Sequence, residues 1–158
     1  EELAMGAIAT GGVRYINPLV VEGLHVPNEA IERVARKEQR ELERREREYR
    51  DNRPPLELRD RTVILVDDGL ATGATMLAAV TALKQQSPRK IVVAVPIAAA
   101  ETCQIFEEEA DEVVCAETPR PFHAVGLWYT SFAQTTDQEV CDLLRQAQVQ
   151  HKTLTGSV

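Results

Sequence analysis

Apolar and polar positions change rhythm twice along this chain. Between Met5 and Ile16, the apolar pieces MGAIA and VRYI flank TGG, a pattern that predicts a β-hairpin around a glycine turn. NPLVVEGLHVPN follows, a short apolar run held between turn residues. From Asn28 to about Arg50 charge takes over, and the apolar stripe of Ile31, Val34, Ala35 and Leu42 is thin. Asn28 suits an N-cap, and Glu29 and Glu32 favour the positive end of a helix. Glu29–Arg33, Glu32–Arg36, Glu41–Arg45, Glu43–Arg47 and Glu46–Arg50 stand four apart in the favourable order. A long charged helix over about 28 to 50 is therefore expected, stopped by NRPP. From Arg61 the rhythm becomes regular. TVILV, KIVVAVPIA and DEVVCAE read as buried-type strands, and they alternate with helices over about 74–85 and 100–110. Such alternation predicts βαβ units, a parallel sheet and right-handed crossovers. After TPRPF the chain turns irregular and aromatic, and a last helix is expected over about 137–148.

The bulk numbers narrow the class. A chain of 158 residues holds one domain with a real core. Within it, 1–60 form the hairpin and charged-helix region, 61–117 the parallel-sheet core, and 118–158 the aromatic segment and terminal helix. The 29–61 stretch carries eleven of the 18 basic and ten of the 25 acidic residues, yet net charge is −7. A nucleic-acid footprint is not expected at that balance. The longest apolar run, IVVAVPIAAA, is too short to span a bilayer, and no signal segment opens the chain, so no membrane partner is expected. Cys103, Cys115 and Cys141 match no metal or redox spacing and read as reduced thiols of a cytoplasmic protein.

The chemistry concentrates in VILVDDGLATGAT, residues 63 to 75. In an open parallel sheet, ligands sit beyond the carboxyl ends of strands, where loops lead into helix N-termini. Gly69 and Gly73 permit tight turns there, and Thr72 and Thr75 place hydroxyls beside the free amides that open the next helix. That combination makes a phosphate cradle. It is neither a Walker A loop, lacking a Lys after Gly73, nor a G-x-G-x-x-G fingerprint. A response-regulator receiver also ends a strand in an acidic pair. It would need a phosphoacceptor Asp and a Lys at strand C-termini, whereas Asp111 and Lys90 stand at N-terminal ends. The plain alternative is two strand-end acids that cap a helix.

At these residues the chain resembles the type I phosphoribosyltransferases, whose signature is four apolar residues, two acids and a small-residue loop ending T-G-x-T. Val63 to Val66, Asp67–Asp68 and Ala71 to Thr75 match that pattern throughout. ELAMGAIATGG, ELERREREYR and ETPRPFHAVGLWY extend the similarity toward bacterial phosphoribosyltransferase-domain proteins of unassigned substrate. The resemblance implies an α/β fold of the Rossmann-like, three-layer, mostly parallel kind, here with a long charged helix. It implies transfer of a phosphoribosyl group from 5-phosphoribosyl-1-pyrophosphate (PRPP) to a small nitrogenous acceptor, with release of pyrophosphate. Gly69, Leu70, Ala71, Thr72, Gly73, Ala74 and Thr75 would hold the 5′-phosphate. Asp67 and Asp68 would act on the ribose hydroxyls and face a Mg²⁺–pyrophosphate group.

Other consequences follow from the same resemblance. Enzymes for 6-oxopurines carry an Asp where Ala71 stands and often a Lys where Ala74 stands, so hypoxanthine and guanine are not expected acceptors. Proteins of this group begin with a further strand, a pyrophosphate-binding loop and a second strand, none of which precedes Glu1. Without those parts the pyrophosphate site would be broken and this chain would not be expected to catalyse by itself. The alternative to the enzyme is a non-catalytic PRPP- or nucleotide-binding regulatory module that keeps the cradle without turnover. Trp128 and Tyr129 would flank the base and could stack on it, or, with Phe122 and Phe132, simply seal the sheet edge. Arg44, Arg45 or Arg47 on the charged helix could reach pyrophosphate, or the helix could be merely solvated. His25, His123 and His151 read as structural or surface residues. A homodimer remains open.

Overall fold

In a computed structural model, residues 5–51, 53, 54 and 56–155 are described. The predicted hairpin forms from β1 (Gly6–Ala9) and β2 (Val13–Ile16), paired antiparallel around a 3₁₀ turn over Thr10–Gly12. Gly11 and Gly12 make that turn at φ of 82° and 78°, where a side chain would be strained. The run after it is helical rather than a turn, α1 (Pro18–Gly23). Pro18 sits in its first turn and the Asn17 side chain accepts from the Val20 amide at 3.4 Å, a proline-and-cap start that the short apolar run obscured.

The charged helix is α2 (Asn28–Arg50). Its N-cap is Pro27 rather than Asn28, and the Pro27 carbonyl takes the first amides, from Ala30 at 2.9 Å and Ile31 at 3.2 Å. It ends at Asp51 in the left-handed region (φ 52°), while Asn52 and Pro55 of the expected stop lie outside the described residues. Of the five i,i+4 pairs, Glu41–Arg45 forms at 2.8 Å. The hairpin takes two of the other acids: Glu32 pairs with Arg14 at 2.9 Å and Glu46 accepts from the Thr10 hydroxyl. Glu43 instead accepts from Gln39.

The core is the parallel sheet β3–β4–β5, formed by β3 (Thr62–Val66), β4 (Lys90–Ile97) and β5 (Glu112–Glu117). Val63 stands opposite Ile91, and Val93 opposite Val113. Helices α3 (Ala74–Lys84) and α4 (Ala100–Glu109) connect the strands, as the alternating pattern predicts. Leu70, Met76, Val80, Leu83, Ile91, Val93, Val95 and Phe106 form one cluster between the sheet and these helices. Fully burying a side chain such as Leu70 or Phe106 contributes about 1.5–3 kcal/mol. α3 also packs against the hairpin.

β3 departs from a strand buried on both faces. Val63 and Leu65 pack on the core, but Ile64 is 61% and Val66 74% exposed, because among the described residues the helices cover the other face of the sheet. The last helix, α5 (Asp137–Thr155), outruns its expected end and docks on α2. Asp137 there receives Arg44 at 2.7 Å and the Tyr49 hydroxyl.

The three cysteines are not all reduced thiols. Cys103 of α4 and Cys115 of β5 form a disulfide with Cα atoms 6.6 Å apart, and Cys141 is a buried free thiol. Spacing rules missed the pair because α4 folds back beside β5, which makes neighbours of residues 12 apart. Among the described residues, no helix is long and apolar enough to cross a membrane.

Candidate functional site

The segment from Asp67 to Met76 joins the carboxyl end of β3 to α3 and lines an open cleft of about 310 Å³, with Val125 and Phe132 on its far wall. Leu70 anchors it. Its amide donates to the Ile97 carbonyl at 3.0 Å, its carbonyl accepts from Ala99 at 2.9 Å, and its side chain is fully buried. Ala71 is held from below, where the Thr102 hydroxyl of α4 donates to its carbonyl at 2.6 Å. Leucine at position 70 is thus a structural plug, and the exposed hydroxyls of the loop are those of Thr72 and Thr75.

Gly73 turns the loop into the helix at φ 72°. A Cβ there would lie 2.7 Å from the Phe106 ring and 2.9 Å from the Thr102 methyl, so glycine is required for backbone conformation and space alike. The first helical bond of α3 runs from Leu77 to the Gly73 carbonyl at 2.9 Å. Ala74, Thr75 and Met76 precede it, which leaves their amides directed out of the helix N-terminus. No acidic side chain stands in that first turn to occupy them. This is an anion-binding geometry.

The two acids differ. Asp67 is half-buried, and one carboxylate oxygen accepts from the Asp68 amide at 2.9 Å. Burial pushes its pKa above the ordinary value; the Asp68 amide pulls it down and the neighbouring Asp68 charge pushes it up. Asp68 is exposed, and its backbone carbonyl accepts from the Tyr129 hydroxyl at 2.6 Å. Tyr129 in turn packs at 5.2 Å, centroid to centroid, against Phe132. Two adjacent hard oxygen donors at the lip of an anion cradle suit Mg²⁺, which takes one or two carboxylates and completes its shell with water and substrate phosphates. Among the described residues, no cluster of three or more metal-ligating side chains exists.

The remaining sequence candidates fall in different places. Trp128 closes a 3₁₀ turn, Val125–Trp128, and is exposed outside the cleft lining, whereas Tyr129 touches the acid turn. Arg44 is committed to Glu41, Glu48 and Asp137. Arg45 and Arg47 line two grooves along α2 that each reach Thr75. The residues the sequence did not single out are Thr102 and Phe106 beneath the loop and Val125 beside it, where Phe132 also stands. Phe132 was named only as one of the clustered aromatics that could seal the sheet edge.

Residues 2–130 match the family described as phosphoribosyl transferase domain. Two Mycobacterium tuberculosis proteins, of strains H37Rv and CDC 1551 and each named "Putative phosphoribosyl transferase", are 44% identical over 146 residues. That alignment takes in 92% of this chain and 33% of each relative, so the chain spans about a third of their length. The crystal structure of TT1426 from Thermus thermophilus is similar with a TM-score of 0.69 at 38% identity, over 92% of this chain and 68% of that one.

Proposed function

This chain belongs to the phosphoribosyl transferase domain family, and we propose that it binds PRPP and passes its phosphoribosyl group to a small nitrogenous acceptor, releasing pyrophosphate. The observation that carries the proposal is the continuous Asp67–Thr75 segment, in which an acidic turn and an open helix N-terminus face one cleft. The 5′-phosphate lies against the amides of Ala74, Thr75 and Met76 and the hydroxyls of Thr72 and Thr75. The ribose spans from there to Asp67 and Asp68, which accept from its neutral 2′- and 3′-hydroxyls. Acids and phosphate therefore share one ligand without meeting.

In the reaction the C1′–O bond to pyrophosphate breaks, its electron pair leaves with pyrophosphate, and a ring nitrogen forms the new bond to C1′. Positive charge develops on the ribose ring, and the fixed carboxylates beneath it lower that barrier. Asp67 and Asp68 would hold Mg²⁺, which would supply charge neutralisation of the leaving group. Val125 and Phe132, the latter packed against the Tyr129 ring, line the wall of the cleft against which the planar acceptor would stack. Arg47, in a groove that reaches Thr75, is the helix cation we assign to phosphate oxygens, and Arg45, ion-paired to Glu41 in a second such groove, would have to leave that partner to join it. A cytoplasmic setting accompanies this substrate.

Isothermal titration with PRPP and Mg²⁺, followed by a pyrophosphate-release screen over nitrogenous bases, tests the proposal. Saturable binding with base-dependent release supports it. Binding without release for any acceptor supports a non-catalytic PRPP-binding module instead, and absence of binding overturns both.

A further inference from the structure

We propose that Cys103 and Cys115 are a reversible thiol–disulfide site that sets the rigidity of the phosphate-binding loop. The pair joins α4 to β5 covalently, and both residues are half-buried at the margin of the core. What α4 carries makes the bridge consequential. Thr102, the residue before Cys103, donates to the Ala71 carbonyl at 2.6 Å. Phe106, one turn further on, fills the space against Gly73 together with the Thr102 methyl. The strand end just before α4 also holds the loop, since Leu70 exchanges hydrogen bonds with Ile97 and Ala99. The floor of the loop is thus α4, and one side of that floor is pinned by the disulfide.

Cys103 is separated from the loop by a single residue, but neither cysteine lines the cleft. The site is therefore a control point beside the cradle rather than part of it. In reducing compartments, disulfides that form are characteristically transient and redox-sensing. The bridge opens by exchange. A thiolate of a small dithiol attacks one of the two sulfurs, the S–S bond breaks, and a mixed disulfide forms with release of the other cysteine as thiolate. The dithiol's second thiol then displaces the remaining protein sulfur. The protein gains two electrons and two protons as two thiols, and the dithiol leaves as its own disulfide. A low-molecular-weight disulfide runs the same steps backward. With the bridge open, α4 is held by Phe106, Thr102, the Lys84–Glu109 ion pair and its contacts with α3 and β5, and loop opening becomes more frequent.

Hydrogen exchange on the full chain, as the disulfide and after treatment with a small dithiol, tests this without any ligand. Mass counting of alkylated thiols after denaturation tracks the redox state, and Cys141 labels equally in both. Reduction is expected to speed exchange of the amides over 70–73 and 100–106 by about tenfold or more, with β4 unaffected. Re-oxidation with a small-molecule disulfide reverses the change. C103S/C115S shows the fast pattern whatever the reductant, and C141S remains redox-responsive. Failure of the protein to form the bridge under a small-molecule disulfide overturns the proposal. Equal loop exchange in the two states overturns it as well. The inference rests on the phosphate reading only for its effect on ligand, which a parallel titration with ribose 5-phosphate reads as several-fold weaker binding after reduction. Redox-dependent exchange with no ribose 5-phosphate binding in either state would uphold the switch and overturn the phosphate reading.

Discussion

Replacing Gly73 with alanine separates two reasons for a glycine, because Gly12 supplies a control. Both residues lie in the left-handed region, at φ 72° and 78°. The backbone cost of an alanine there is about 1–2 kcal/mol in either case. They differ in surroundings. Nothing lies within 4 Å of a Cβ built on Gly12, whereas one on Gly73 meets Phe106 at 2.7 Å and the Thr102 methyl at 2.9 Å. Phe106 is 1% exposed in the middle of the core and has nowhere to move. Forcing a methyl against it adds an overpacking cost of about 1–3 kcal/mol. Gly73→Ala is therefore expected to lose about 2–5 kcal/mol and Gly12→Ala about 1–2. Urea unfolding followed by circular dichroism measures both, read as a midpoint shift at constant slope. Gly73→Ala should also weaken phosphate binding, since relief of the clash tilts the start of α3. Equal losses at the two glycines would refute the packing argument and leave only backbone strain.

Two other predictions concern the same loop. Thr102→Val keeps the shape of the side chain but leaves the Ala71 carbonyl without its donor, at a cost of about 1–3 kcal/mol. Faster amide exchange at Leu70 to Thr72 checks it. Asp67 couples stability to pH in a direction opposite to most carboxylates. Burial raises its folded pKa above the unfolded value of 3.8, so between those two values the folded state binds more protons. Its contribution to stability falls as pH rises through that window and stays unfavourable above it. Asp67→Asn should accordingly unfold at higher urea than the wild type at pH 7 and lose the advantage below about pH 4, while PRPP binding weakens. A destabilised Asp67→Asn at neutral pH would contradict the assigned cause.

Much of the core was legible because its signals are local. β3, β4, β5, α3 and α4 fall within a residue or two of their expected ends, since apolar runs there are cut sharply by Asp, Gly and Pro. Asp67 to Thr75 is contiguous, so its elements could be read together from the sequence. What escaped depends on partners distant along the chain. Whether TVILV is buried on one face or two depends on what flanks it, and Ile64 and Val66 turned out bare. Helix pairing on α2 looked strong from spacing, but Glu32 and Glu46 found partners on the hairpin instead. Thr102 and Phe106 reach the loop from about thirty residues away, across the β4 crossover, with no motif to mark them. The Cys103–Cys115 bridge escaped for the same reason: it exists only once α4 has folded against β5.

Ribose 5-phosphate is the most direct probe of the central claim, because it presents the phosphate and the sugar hydroxyls without pyrophosphate or acceptor. Titrated into the ¹⁵N-labelled protein, it should shift the amides of Gly69 to Met76 saturably, with Asp67 and Asp68 following. Inorganic phosphate should move the loop amides more weakly and leave the acidic turn in place. Shifts confined to the basic surface of α2, or none in the loop at saturating ligand, would contradict the account.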